Sequence, residues 1–217
     1  MGDTNWKIRK EGLDHFEVIL EEAHQKISMT NINDILPALK ARLNDSNKNL
    51  IMQTVELIGK LASAIGKPFE RSTKQVLSQV AGCLNDNKTH VRNATIRSLD
   101  SILKATQLNS MLPILGSSLL IPAPSLRKEL LKWLNDKMEP WSKSPKYHDR
   151  NLPSELTSMV DGLLSCLQDK DSEVRKSAQS CIIFLIPVVG YTFLCEKAGD
   201  LRSKAAVQAV MPVLECE

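Results

Sequence analysis

The chain has 217 residues, is 42% hydrophobic, 24% charged and 4% aromatic, and carries a formal net charge of +3. That apolar fraction excludes a disordered chain, and nine glycines with few β-branched or aromatic runs argue against a β-sandwich or barrel. No apolar stretch approaches the ~20 residues of a membrane span, and no Lys/Arg-dense window with interleaved aromatics points to nucleic acid.

The N-terminus lacks the apolar run of a signal peptide, and Trp6 stands where a myristoylation motif needs Ser or Thr. Asp3-Thr-Asn-Trp-Lys-Ile-Arg9 opens the first predicted helix. Helices are then expected over Ile32 to Leu43, Ser72 to Leu84, Leu108 to Leu120 and Leu156 to Leu167. Between them the opening motif returns as Asp45-Ser-Asn-Lys-Asn-Leu-Ile51, Asp86-Asn-Lys-Thr-His-Val-Arg92 and Asp169-Lys-Asp-Ser-Glu-Val-Arg175. A displaced copy without Asp falls at Leu126-Arg127, after Pro122-Ala-Pro-Ser125. Residues 140–155, holding Pro140, Pro145 and Pro153, read as the longest irregular link.

Each motif is Asp, four mostly polar residues, an aliphatic, then usually Arg. The aliphatics Ile8, Leu50, Val91 and Val174 are 42, 41 and 83 residues apart, the last step about twice the others. Apolar or small residues follow at helical spacing, as in Leu50, Thr54, Val55, Ile58, Leu61 and Ala62. Helix, polar turn, helix at a period of about 40–47 residues is the pattern of HEAT repeats. The expected fold is therefore an all-α solenoid of about five to six stacked antiparallel helix pairs in a flat paddle. The first repeat lacks its first helix, which suggests a piece of a longer protein. The whole reads as one domain, 1–217.

Stacking aligns the turns along one edge, the expected binding surface. Lys7, Lys48, Lys88 and Lys170 recur in those turns and suit an acidic protein partner. Trp6 sits in a polar turn with no evident core role, as interface aromatics do. Trp133, among Leu130, Leu131 and Leu134, reads as core, and Trp141 as a pin for the link. The motif residues Asp45, Asp86, Asp169, Arg92 and Arg175 are expected to bridge adjacent repeats, with Arg9 paired in the same way.

The five cysteines form no C-x-x-C pair and read as reduced core residues. The four histidines match no metal-ligand spacing. No P-loop, glycine-rich fingerprint or G-x-S-x-G is present. The expectation is a non-catalytic chain without metal or cofactor.

Several stretches together resemble one family. They are Gly2-Asp-Thr-Asn-Trp6-Lys-Ile-Arg-Lys-Glu-Gly-Leu13, Leu43-Asn-Asp-Ser-Asn-Lys48, Val91-Arg-Asn-Ala94, Leu126-Arg-Lys-Glu-Leu-Leu-Lys-Trp-Leu134 and Asp171-Ser-Glu-Val-Arg-Lys-Ser-Ala-Gln179. They look like TOG domains, the HEAT-repeat, tubulin-binding domains of multi-TOG microtubule polymerases, most of all the fourth TOG domain of the animal polymerase. The resemblance implies that Trp6 engages β-tubulin and Lys170 faces α-tubulin, with Asn47, Lys48, Lys88, Thr89 and Ser125 between them. Asp171 departs from the pattern, since it dilutes the positive charge beside Lys170.

The implied partner is αβ-tubulin or the microtubule lattice, with no nucleic acid and no membrane. The implied state is a monomer within a longer chain at microtubules, spindle poles and centrosomes. The other reading is a HEAT scaffold that docks a non-tubulin protein or a neighbouring domain through its helical faces.

Overall fold

The computed structural model describes residues 2–23, 32–144 and 156–199, with Ala205 and Val207. Among these, ten α-helices are defined: α1 (Trp6–Glu22), α2 (Ile32–Arg42), α3 (Lys48–Ile65), α4 (Glu70–Gly82), α5 (Thr89–Ala105), α6 (Leu108–Leu119), α7 (Pro124–Ser142), α8 (Thr157–Leu167), α9 (Ser172–Val189) and α10 (Tyr191–Ala198). The four helices expected ahead of the motifs are α2, α4, α6 and α8. The fold is the expected all-α arrangement of HEAT-type pairs. The pairs α2/α3, α4/α5, α6/α7 and α8/α9 are flanked by α1 and α10. The chain divides into two compact units, residues 1–111 and 112–217. No described helix is long and apolar enough to cross a membrane.

In the first unit α3 packs between α1 and α5, while α2 contacts α3, α4 contacts α5, and α2 and α4 contact each other. Apolar residues at three- and four-residue spacing make this possible. Leu50, Val55, Ile58, Leu61 and Ala62 of α3 and Val91, Ala94, Leu99 and Ile102 of α5 are all buried.

Helix α1 departs from the expected register. Ile8, aligned with Leu50, Val91 and Val174, is 45% exposed, and Val18 and Ile19 are also exposed. The stripe Arg9, Leu13, Phe16 and Leu20 is buried instead. In α3 the positions matching Ile8, Gly12, His15 and Ile19 are Leu50, Thr54, Leu57 and Leu61, and all are buried. The repeat buries two stripes on α3 and one on α1.

In the second unit α9 packs on α7, α8 and α10. Helices α6 and α8 touch backbone to backbone. A methyl group on Gly116 would lie 2.3 Å from Met159 Cα, and one on Gly162 would lie 2.3 Å from the Gly116 carbonyl oxygen. Only glycine permits that approach.

Trp133 is buried with Leu130, Leu131 and Leu134. Helix α7 continues through Pro140 to Ser142, so the first residues of the expected irregular link are helical. Proline removes one bond near the helix end, while Met138, Trp141 and Ser142 are buried there and hold the last turn. The link residues 145–155 lie outside the described residues.

Candidate functional site

The turns that open α1, α3, α5 and α9 share one construction. The motif Asp carboxylate accepts the main-chain N–H two residues ahead: Asp3 from Asn5 at 2.7 Å, and Asp45 from Asn47, Asp86 from Lys88 and Asp169 from Asp171 at 2.9 Å each. The donating residue becomes the helix cap. Asn5, Asn47 and Asp171 then accept the N–H groups of Lys7, Asn49 and Glu173, satisfying donors that the helix start leaves open.

The motif Arg closes the turn from its other end. Arg9, Arg92 and Arg175 donate to the carbonyl oxygens of Asp3, Asp86 and Asp169 at 3.1, 2.9 and 2.8 Å. Arg92 and Arg175, expected to bridge adjacent repeats, make these bonds within their own turns. Six residues after the Asp, the side chain stands one turn into the helix and reaches back over the loop.

Bridging between repeats falls to the Asp residues. In the first unit Arg9 donates Nε–H and Nη2–H to the two carboxylate oxygens of Asp45, both at 2.8 Å, and Arg42 adds a third bond at 2.8 Å. The Asp45 side chain is 0% exposed. Lys48 pairs with Asp86 at 2.7 Å. These contacts tie the turns before α1, α3 and α5 in sequence.

In the second unit Arg127 pairs with Asp169 at 2.6 Å. It also donates to the Leu119, Leu120 and Ile121 carbonyls and to the Ser165 hydroxyl. The sequence marked Leu126-Arg127 as a displaced motif copy but gave Arg127 no bridging role, because that copy lacks the Asp. Its signal was the aliphatic-Arg step Leu126-Arg127.

The charges record the same design. Burial pushes the Asp45 carboxyl up, but the Arg9 hydrogen bond, the Asn47 N–H and the nearby Arg9 and Arg42 charges outweigh it and hold the group below its ordinary value. Asp86 is lowered against burial by the Lys48 hydrogen bond and the Lys88 N–H. Asp169 is lowered against burial by the Asp171 N–H and Arg127.

On this scaffold the first unit brings together Trp6, Lys7, Asn47, Lys48, Lys88 and Thr89. Trp6 is the first residue of α1 and is 46% exposed. Lys7, Lys88 and Thr89 are exposed, Asn47 is half-buried as a cap, and Lys48 leans on Asp86. In the second unit Ser125 and Lys170 are exposed on the turns that Arg127 ties together. Leu120 and Ile121 are exposed on the turn before α7 and were missed, because the apolar pattern of α6 runs straight into them.

The fold has known relatives. A family profile described as CLASP N terminal matches residues 2–198. Protein MOR1 of Oryza sativa subsp. japonica is 38% identical over 207 residues, covering 94% of this chain and 10% of MOR1. Protein mini spindles of Drosophila melanogaster is 28% identical over 218 residues, covering 99% of this chain and 10% of that protein. The chain thus spans about a tenth of the length of these relatives. A solved structure described as the basis of tubulin recruitment and assembly by microtubule polymerases with TOG domain arrays superposes with a TM-score of 0.74. It shares 20% identity and covers 97% of this chain and 44% of that one.

Proposed function

The chain belongs to the CLASP N-terminal family, and we propose that it is a non-catalytic, tubulin-binding TOG module of a microtubule polymerase. The observation that carries the reading is the tied set of turns in the first unit, with Trp6 and lysines exposed along it. An exposed aromatic ring supplies a desolvated anchor. Lysines on braced turns steer an acidic partner such as tubulin and fix its register. The arrangement binds rather than reacts, so the contribution to microtubule growth is recruitment. Sister domains on one polypeptide raise the effective tubulin concentration and add to that recruitment. The expected location is the microtubule cytoskeleton, including spindle poles and centrosomes.

The test is a gel-filtration and light-scattering titration with αβ-tubulin. The 217-residue chain forms a complex, and the Trp6→Ala/Lys88→Ala variant loses it. Equal complex formation by the variant rejects these turns as the site. No complex with the unaltered chain at roughly tens of micromolar rejects independent tubulin binding.

A second reading has one observation in its favour. Ile8, Val18 and Ile19 leave an apolar face of α1 exposed, and such a face suits docking of a non-tubulin protein or a neighbouring domain. A pull-down from tubulin-depleted extract, with the contact mapped to α1, would favour it.

A further inference from the structure

The first unit carries a second set of exposed cations, at the end of its helices away from the motif turns. Helix α3 runs 18 residues from Lys48 to Ile65, so the connection to α4 lies about 27 Å from the turn that exposes Lys48. That connection is Lys67-Pro-Phe69, and α4 follows from Glu70. Arg71 and Lys74 share one face of α4, and Lys67 stands four residues before Arg71. All three are exposed. Lys104, in the last turn of α5, is exposed at the same end, where α5 contacts the connection.

The fold does not use these charges. In the same unit Lys10, Lys60 and Arg97 pair with Asp14, Glu17 and Glu56. Among the described residues no ion pair holds Lys67, Arg71, Lys74 or Lys104. The carboxylate beside them, Glu70, accepts the Ser110 hydroxyl instead. Like charges at helical spacing repel, so the helix gains nothing from the row.

The cations also border an apolar recess. Lys67, Pro68, Glu70 and Arg71 line a space of about 500 Å³. Its wall is fixed: the Phe69 N–H donates to the Gly66 carbonyl at 2.9 Å, and the Phe69 ring is fully buried. The exposed Pro68 ring and the aliphatic stems of Lys67 and Arg71 supply apolar surface, with the charged ends at its rim.

We infer that this edge docks an acidic peptide segment bearing an apolar side chain. Its carboxylates meet Lys67, Arg71 and Lys74, and its apolar side chain enters the recess beside Pro68. The recess favours a peptide over nucleic acid, since a phosphate backbone has nothing to place against Pro68. No exposed aromatic ring stands there for bases to stack on. The site goes beyond tubulin recruitment and does not depend on it. At the far end of α3 it leaves the motif turns open, so one domain holds both partners at once.

Fluorescence anisotropy tests this with a labelled peptide of glutamates flanking one leucine, titrated with the 217-residue chain at low and physiological salt. The peptide should bind, and more weakly as salt rises. The Lys67→Ala/Arg71→Ala variant should bind it roughly tenfold more weakly. The Trp6→Ala/Lys88→Ala variant should bind it as the unaltered chain does.

No binding by the unaltered chain, or equal binding by Lys67→Ala/Arg71→Ala, overturns the inference. Loss of binding in Trp6→Ala/Lys88→Ala puts the peptide on the motif turns and also overturns it. Equal affinity for a peptide with serine in place of leucine does the same, because the recess then takes no part. Tighter binding of a labelled oligothymidylate, lost in Lys67→Ala/Arg71→Ala, assigns the edge to nucleic acid instead. Hydrogen exchange needs no variant: protection of the amides of residues 66–75 by the glutamate-leucine peptide supports the site, and unchanged exchange overturns it.

Discussion

Arg9 and Asp45 meet in a two-point ion pair across adjacent repeats, with both bonds at 2.8 Å and the Asp45 side chain fully buried. Asp45 also accepts Arg42 and the Asn47 N–H, so one carboxylate holds two repeats and one helix cap. Asp45→Asn keeps the shape and removes the charge. It should lower unfolding free energy by about 2 kcal/mol, the worth of hydrogen bonds to a charged group. Urea unfolding followed by circular dichroism measures this. Lys48→Ala, which breaks a half-exposed pair, should cost about 0.5 kcal/mol in the same assay.

Acid should destabilise the fold. Asp45, Asp86 and Asp169 all titrate below their ordinary value in the folded chain. A lowered folded value means that the unfolded chain takes up protons first. Each carboxylate therefore contributes stability above the unfolded value of about 3.9, and that stability is lost as pH falls through the folded values. Melting temperature should be level from about pH 7 to pH 5 with respect to these groups and fall below about pH 4. Asp45→Asn should reduce the acid slope, and an unchanged slope would remove Asp45 from the account.

Two glycine substitutions should act in opposite directions. Gly116→Ala forces α6 away from α8 and should cost roughly 2 kcal/mol or more by overpacking. Gly82→Ala meets nothing within 4 Å and stands at φ −56°. It should stabilise by about 0.5 kcal/mol by restricting the unfolded chain. Thermal melts of the two variants check the pair.

The cysteines should report burial. Burial pushes the Cys83 thiol up to about 12 and the Cys166 thiol to about 11, and it raises Cys181 as well. All three are buried, whereas Cys195 is half-exposed. Among the cysteines of the described residues, alkylation at pH 8 followed by peptide mass spectrometry should label Cys195 first, with Cys83, Cys166 and Cys181 labelled only on unfolding. Rapid labelling of Cys181 in the folded chain would contradict the packing of α9.

Much of this was legible in the sequence because the repeat is written in periodic residues. The Asp of each turn and the apolar stripes at helical spacing fixed the order of helices and the turns between them. Ile8 shows the limit. Its motif position matches Leu50, yet whether a stripe is buried depends on which helices flank it, and that is not local. Arg127 shows another limit, since its motif copy lacks the Asp and nothing local names its partner, Asp169, which comes from 42 residues away. Leu120 and Ile121 continue the α6 pattern in one dimension, while Pro122, the turn's own backbone bonds and the carbonyl bonds to Arg127 hold them in a turn beyond the helix.

The central claim is that the turns, and not the helix faces, carry the binding surface. Hydrogen exchange of the 217-residue chain with and without αβ-tubulin tests it most directly. The account predicts protection at residues 3–7, 44–48 and 86–89 of the first unit and at 120–125 and 168–171 of the second, with the outer face of α1 around Ile8 and Ile19 unchanged. Protection of that α1 face with the turns unaffected would contradict it.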